Sequence, residues 1–330
     1  MTLDEAWIRS LPKAVCHVHL EGALPGDALV HLVTRAGGDP RFPEPEDVRD
    51  YWSFDDELRS RAGFLERWAW KTAFLRDAEA FTYAARAAAE SLRDEGVVYA
   101  EWLVAASDVA HHGLSARTVL EAVAEGLAQV DELDSRLILD VVAEAGAGPA
   151  LESLESAIGV AGLVGVHIGA HAGTDPQTMV GVVEHARAAA LQVSVRMDDE
   201  TPELLDLWAP DRVVGLARVG RASALWERFL SERRPLLFTP RADIALGDAT
   251  LHPLEHAMES GQLASVQPDA WQLVGGGVVE ELARLRAAGC SRDAIRALLQ
   301  ASIASAFLPY RERRAQLGDC LAHEAWFEDV

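Results

Sequence analysis

Eight short runs of apolar, partly β-branched residues recur along the chain, at 14–19, 97–104, 136–143, 163–168, 191–197, 212–219, 235–239 and 263–267. Between them, apolar positions return every three or four residues, the spacing of a helix with one buried face. Near-continuous apolar strands alternating with amphipathic helices predict a parallel sheet covered on both faces. Eight such units predict a closed (β/α)8 barrel of the TIM type. The competing open, doubly wound sheet would carry a glycine-rich GxGxxG turn after its first strand, and none is present.

The interval between the first two runs is long, about 75 residues. It predicts a helical insertion over about 25–90, containing Phe54-Asp55-Asp56, the stripe Phe64-Leu65-Glu66-Arg67-Trp68-Ala69-Trp70 and a helical run over 78–93. Aromatic residues at this spacing are expected first of all to pack a helix against the barrel. The chain from 282 onward reads as the last barrel helices. No internal repeat, low-complexity segment or linker divides the sequence, so a single domain over 1–330 is expected.

Composition narrows the picture in four ways. A hydrophobic content of 49% in 330 residues suffices for one large core. No run of about 18 uncharged apolar residues occurs and the N-terminus lacks a basic-then-apolar signal, so a soluble cytoplasmic protein without a membrane partner is expected. Cys16, Cys290 and Cys320 are odd in number and far apart, which argues against a disulfide framework and a cysteine metal site. The 52 acids against 30 basic residues give a net charge of −22, a field that repels nucleic acid. The sequence leaves the oligomeric state open.

Barrel enzymes build their sites at the C-terminal ends of the strands. The first run ends in Val15-Cys16-His17-Val18-His19-Leu20-Glu21-Gly22-Ala23. Two histidines at i and i+2 share one face of a strand, and neutral imidazole is the commonest protein ligand for zinc. Preceded by Leu11-Pro12-Lys13, the segment resembles the opening motif of the adenosine deaminase family, LPK…HxHLEGA. That resemblance implies a zinc-dependent barrel that removes the 6-amino group of adenine nucleosides. It continues in Tyr99-Ala100-Glu101, similar to the family's YAE strand, and in Phe64 with Leu65, similar to its FL element lining the substrate mouth. In strand four, Gly169 matches the glycine whose amide faces the purine, while His167 stands where the family has an aspartate.

The resemblance fails at the family's other catalytic positions. Against the pattern HAGE of strand five, Arg196 falls on the third zinc ligand and Asp199 on the proton-transfer acid. Against RIGHG after strand six, Arg218-Val219-Gly220-Arg221-Ala222 places Arg221 on the histidine that activates water. The pattern CPTSN of strand seven becomes Thr239-Pro240-Arg241-Ala242-Asp243. After strand eight the family has two adjacent aspartates, a zinc ligand and a purine partner; Pro268-Asp269 matches Asp269 to the second.

Arginine stays protonated and offers no lone pair to a metal. No cofactor is therefore expected; a zinc, if bound, would rest on His17 and His19, with His167, His171, Asp198 or Asp269 as substitutes. Arg196, Arg221 and Arg241, at the ends of three successive strands, are expected to meet at one rim. There they would either replace the metal's charge beside Asp199, Asp269 or Glu21, or clamp an anion through bidentate forks. The expected acid–base groups are His17, His19, Asp199, Glu200 and Asp269. The expected substrate-binding groups are Arg196, Arg221, Arg241, Glu21, Gly169, Phe64 and Leu65. The leading expectation is an enzyme of this ancestry with a lost or rebuilt metal site, acting on a small anionic or purine-like metabolite. A zinc-dependent deaminase or C–N hydrolase with substitute ligands, and a non-catalytic binder of a nucleoside-like ligand, are the alternatives.

Overall fold

The structure is a computed structural model that describes residues 2–53, 60–170, 175–197, 201–245 and 252–327. Eight parallel strands follow one another in chain order: β1 (Lys13–His19), β2 (Val97–Val104), β3 (Asp134–Val142), β4 (Leu163–Ala170), β5 (Gln192–Met197), β6 (Arg212–Gly215), β7 (Leu236–Phe238) and β8 (Ala264–Val266). Helices cover the sheet, giving the (β/α)8 barrel that the eight apolar runs predict. β6 stops at Gly215, short of the predicted 219, because Gly215 and Leu216 take φ of 92° and 75° and turn the chain out of the sheet.

β1 and β8 meet differently from the other neighbours. Their seam is a single parallel bridge between Val18 and Asp269, in which the His19 N–H donates to the Asp269 carbonyl at 3.1 Å. One layer below, the Cys16 N–H donates to a side chain instead, the Gln267 Oε1 at 2.7 Å.

The barrel floor is polar and fully buried. Arg212, the first residue of β6, pairs with Glu101 of β2. The other oxygen of that carboxylate accepts the Tyr99 hydroxyl at 2.6 Å and the Phe307 N–H. Phe307 lies under the guanidinium, with 3.8 Å from its ring centroid to the Arg212 carbon. The segment after the helix Arg292–Ala304 thus plugs the N-terminal end of the barrel.

Between β1 and β2 lie the helices Gly26–Arg35, Pro45–Trp52 and Arg61–Thr72, followed by Ala78–Asp94. The last buries Ala80, Phe81, Ala84, Ala85, Ala88, Ala89 and Leu92 along one stripe and packs on Ala116–Leu127, so it belongs to the outer ring rather than to the insertion. The contact depends on Gly126, where a Cβ would stand 2.2 Å from the Thr82 carbonyl oxygen. Among the described residues, no helix is long and apolar enough to cross a membrane.

Candidate active site at the barrel mouth

The site starts from an irregularity in β1. Val15 pairs with Ala100 and Val18 with Trp102, so Cys16 and His17 both stand opposite Glu101. Such a bulge re-aims side chains. Cys16 stays on the floor, its thiol 3.1 Å from the Ser302 carbonyl, while His17 and His19 both reach the interior above it.

His17 is fully buried, its ring 5.0 Å from the rings of His19 and of His167, and neither of its nitrogens has a hydrogen-bond partner among the described residues. Burial, then the charges of His167, His19 and Arg196, hold its pKa well below the ordinary value, so the ring is neutral. His19 behaves oppositely. Burial works to lower its pKa, but the Asp140 carboxylate, with the charges of Asp269 and Glu21, raises it overall. Its Nδ1 lies 3.2 Å from Asp140 Oδ2. Asp140 of β3, His167 of β4 and Ser194 of β5 form one register row, with His167 Nδ1 3.1 Å from the Ser194 hydroxyl. Burial, opposed by the Asp140 charge, lowers His167 to about 3.

Asp269 completes the group. Its backbone φ of 54° lies in the left-handed region, which aspartate enters more readily than most residues. Since its carbonyl is held by His19 across the seam, its carboxylate is set against the paired imidazoles, 3.9 Å from His17 Nε2 and 3.8 Å from His19 Nε2. The sequence matched Asp269 to the family's purine-partner acid. The geometry puts it beside both histidines.

Arg196 enters from β5. Its guanidinium donates to Asp269 Oδ2 at 3.2 Å and to Asp243 Oδ1 at 3.0 Å, and the Thr239 hydroxyl donates to the same Asp243 oxygen at 3.3 Å. Gly169 is its register neighbour on β4. Among the described residues, a Cβ there would meet only the Val141 carbonyl, at 3.9 Å.

Trp68 of the insertion points its ring edge at His19, 5.6 Å between centroids, and is anchored by its indole N–H on Asp108 at 2.9 Å. Phe64 stacks on its outer face at 5.7 Å, and the Lys71 ammonium lies 3.6 Å from the ring centre. Lys71 is fully buried without a hydrogen-bond partner among the described residues, and burial, opposed by Glu21, Asp108 and Asp140, lowers its pKa to about 8. Glu21 is buried beside it, accepting the Ala105 N–H at 2.9 Å, its pKa raised by burial.

The mouth thus unites His17, His19, Asp269 and Arg196, with Gly169, Glu21 and Phe64 around them. The three-arginine rim does not form. Arg221 is half exposed and faces Glu255 and Glu259 at 3.5 Å each, because β6 ends early and the loop carries it to the helix His252–Glu259. Arg241, in the helix Pro240–Ala245, donates to the Val274 and Gly275 carbonyls. Leu65 is 51% exposed. Asp199 and Glu200, like Asp198 and His171, lie outside the described residues.

Asp140, Asp243, Trp68 and Lys71 join the site without having been singled out as site residues. Asp140 carried a signal, a lone acid in the apolar run Leu137-Ile138-Leu139-Asp140-Val141. Lys71 carried another, a lysine directly after the aromatic stripe.

Donor atoms of His17, His19 and Asp269 lie within 4.8 Å of one another, and the bare nitrogens of His17 suit a ligand. Three protein donors are the number of many catalytic zinc sites. The fourth side decides against the fit. Arg196 ties up an oxygen of Asp269, and a guanidinium about 4 Å from a dication costs about 8 kcal/mol at an effective dielectric constant near 20. Among the described residues the family's four-residue set is not formed, and those residues do not fit a resident zinc.

The sequence model of one protein family, described as Adenosine deaminase, matches residues 12–323. An adenine deaminase of Caulobacter vibrioides is 27% identical, over 97% of this chain and 96% of its own. Among solved structures, an adenine deaminase from Arthrobacter aurescens superposes with a TM-score of 0.85 at 24% identity, over 94% of this chain and 98% of its own. An amidohydrolase from Burkholderia ambifaria with bound Zn superposes with a TM-score of 0.86 at 19% identity, over 99% and 96%. These two likenesses concern the fold.

Proposed function

The chain belongs to the adenosine deaminase family, and from that premise we propose that it is an enzyme acting on a purine-like small molecule at the barrel mouth by acid–base chemistry. One observation carries the reading. His17, His19, Asp140 and Asp269 converge at the C-terminal ends of their strands, beneath Trp68, where barrel enzymes do their chemistry.

A planar neutral ring suits this mouth better than an anion. Arg196 is already matched by two carboxylates, and the other two arginines lie elsewhere. Trp68 and Phe64 add an aromatic wall against which a heterocycle can pack. His17, neutral and with both nitrogens bare, can give one hydrogen bond and accept another along a ring edge. His19, held by Asp140, is the group that carries a proton toward a ring nitrogen or a leaving amine, and Asp269 beside it takes one up. Deamination by this route lacks the metal that brings the pKa of water down to about 7, so turnover far below that of a zinc site is expected.

The reading is tested by calorimetric binding of adenine, adenosine and AMP to the full chain, with ammonia release followed in parallel. Purine binding in the wild type, with ammonia release reduced by about a hundredfold or more in His19→Ala, supports it. Absence of binding by all three purines overturns it.

A further inference from the structure

We propose that Arg196 is a built-in cation standing in the place of a divalent metal, so that the native protein works as a metal-free enzyme. The inference deepens the reading of the site given above.

Three observations carry it. The first is position. Arg196 lies on the interior row of β5 and reaches to the acids that follow β7 and β8, donating to Asp243 at 3.0 Å and to Asp269 at 3.2 Å. It therefore consumes the carboxylate that stands 3.9 Å and 3.8 Å from the two imidazoles. The second is enclosure. The arginine side chain is 11% exposed and each carboxylate 7%, so water screens this triad little.

The third is the pairing of two departures from the family pattern. Arg196 stands at the position of a histidine in HAGE, and Asp243 at the position of an asparagine in CPTSN. Asp243 alone would add a second buried carboxylate to the mouth without a counter-charge of its own. With Arg196 it forms an ion pair. A positive group has been installed with its own counter-ion, and the carboxylate beside the histidines has been turned toward it.

The chemical consequence is a fixed positive charge with hydrogen-bond donors but no exchangeable coordination position. It orients Asp269 and can polarise an acceptor on a bound ring, and it offers no Lewis-acid contact.

The test reads metal rather than purine, so its failure is distinguishable from failure of the proposed function. Wild type, Arg196→His and Arg196→Met are purified from zinc-supplemented cultures, assayed for metal by mass spectrometry and titrated with Zn²⁺ in a calorimeter. The expected result is substoichiometric zinc in the wild type and about one zinc per chain in Arg196→His, lost again when His17→Ala is added. Should Arg196→His fail to fold, Arg196→Met frees Asp269 without adding a donor and is expected to bind zinc about tenfold or more tighter than the wild type. Wild-type protein holding about one zinc per chain that His17→Ala releases would overturn the proposal. Folded variants at Arg196 that take up zinc no better than the wild type would overturn it as well.

Discussion

Lys71 shows how a single side chain can set a pH dependence. Its amine is buried over Trp68 with its pKa lowered to about 8 from 10.5, chiefly by desolvation. A lysine with a depressed folded pKa destabilises the fold fully below that value, and the penalty fades as pH rises through 8 toward 10.5. Lys71→Met should therefore raise the melting temperature at pH 7, by a gain that shrinks as the pH approaches 10. Melting curves across that range check the sign. Asp140 works through another residue: it touches His19 and orients it, so Asp140→Asn should lower turnover by about 10–100-fold with the fold intact, measured as ammonia release beside circular dichroism. At this scale the sequence was legible where chemistry is local. His17 and His19 were readable because a strand puts i and i+2 on one face. Asp243 was passed over because its role is set by contacts across β5 and β7 that no local pattern encodes.

Secondary-structure elements were the most legible level. All eight apolar runs are strands, since burial on both faces leaves an uninterrupted apolar signature. The exception instructs: β6 ends four residues early where Gly215 and Leu216 turn, and that shortening carries Arg221 out to Glu255 and Glu259. Part of the recognisable opening motif also proves structural. Lys13 donates to the carbonyls of Ile8 and Leu11 at 2.6 Å each, and to Arg9, closing the end of the helix Leu3–Ser10. Helix packing yields a prediction of its own. In Gly126→Ala the new methyl would meet the Thr82 carbonyl, so the helices must separate, at a cost of about 1–3 kcal/mol readable in urea unfolding.

At the scale of the whole molecule, the barrel is locked from below and worked from above. The Glu101–Arg212 pair, with Tyr99 and the Phe307 amide, ties β2, β6 and the C-terminal segment together in a layer without water contact. Glu101→Gln would leave the guanidinium buried without its counter-charge, and a loss of about 3–5 kcal/mol in chemical denaturation is expected. The charge surplus acts on the same scale. With 52 acids against 30 basic residues, self-repulsion weakens the compact state, so the melting temperature should rise as salt is raised from about 10 to 150 mM.

The junction of first and last staves deserves to be thought of as a clasp. Elsewhere the cylinder is stitched by backbone ladders; here, among the described residues, one main-chain link and one glutamine side chain join the two edges of the hoop directly. Since Asp269 is itself the tongue of that clasp, any loosening of the hoop withdraws the carboxylate from the imidazoles before the cylinder comes apart. Gentle heating should silence the enzyme while its circular dichroism is still native, and the His19 amide should exchange with deuterium ahead of those in the β2–β3 ladder.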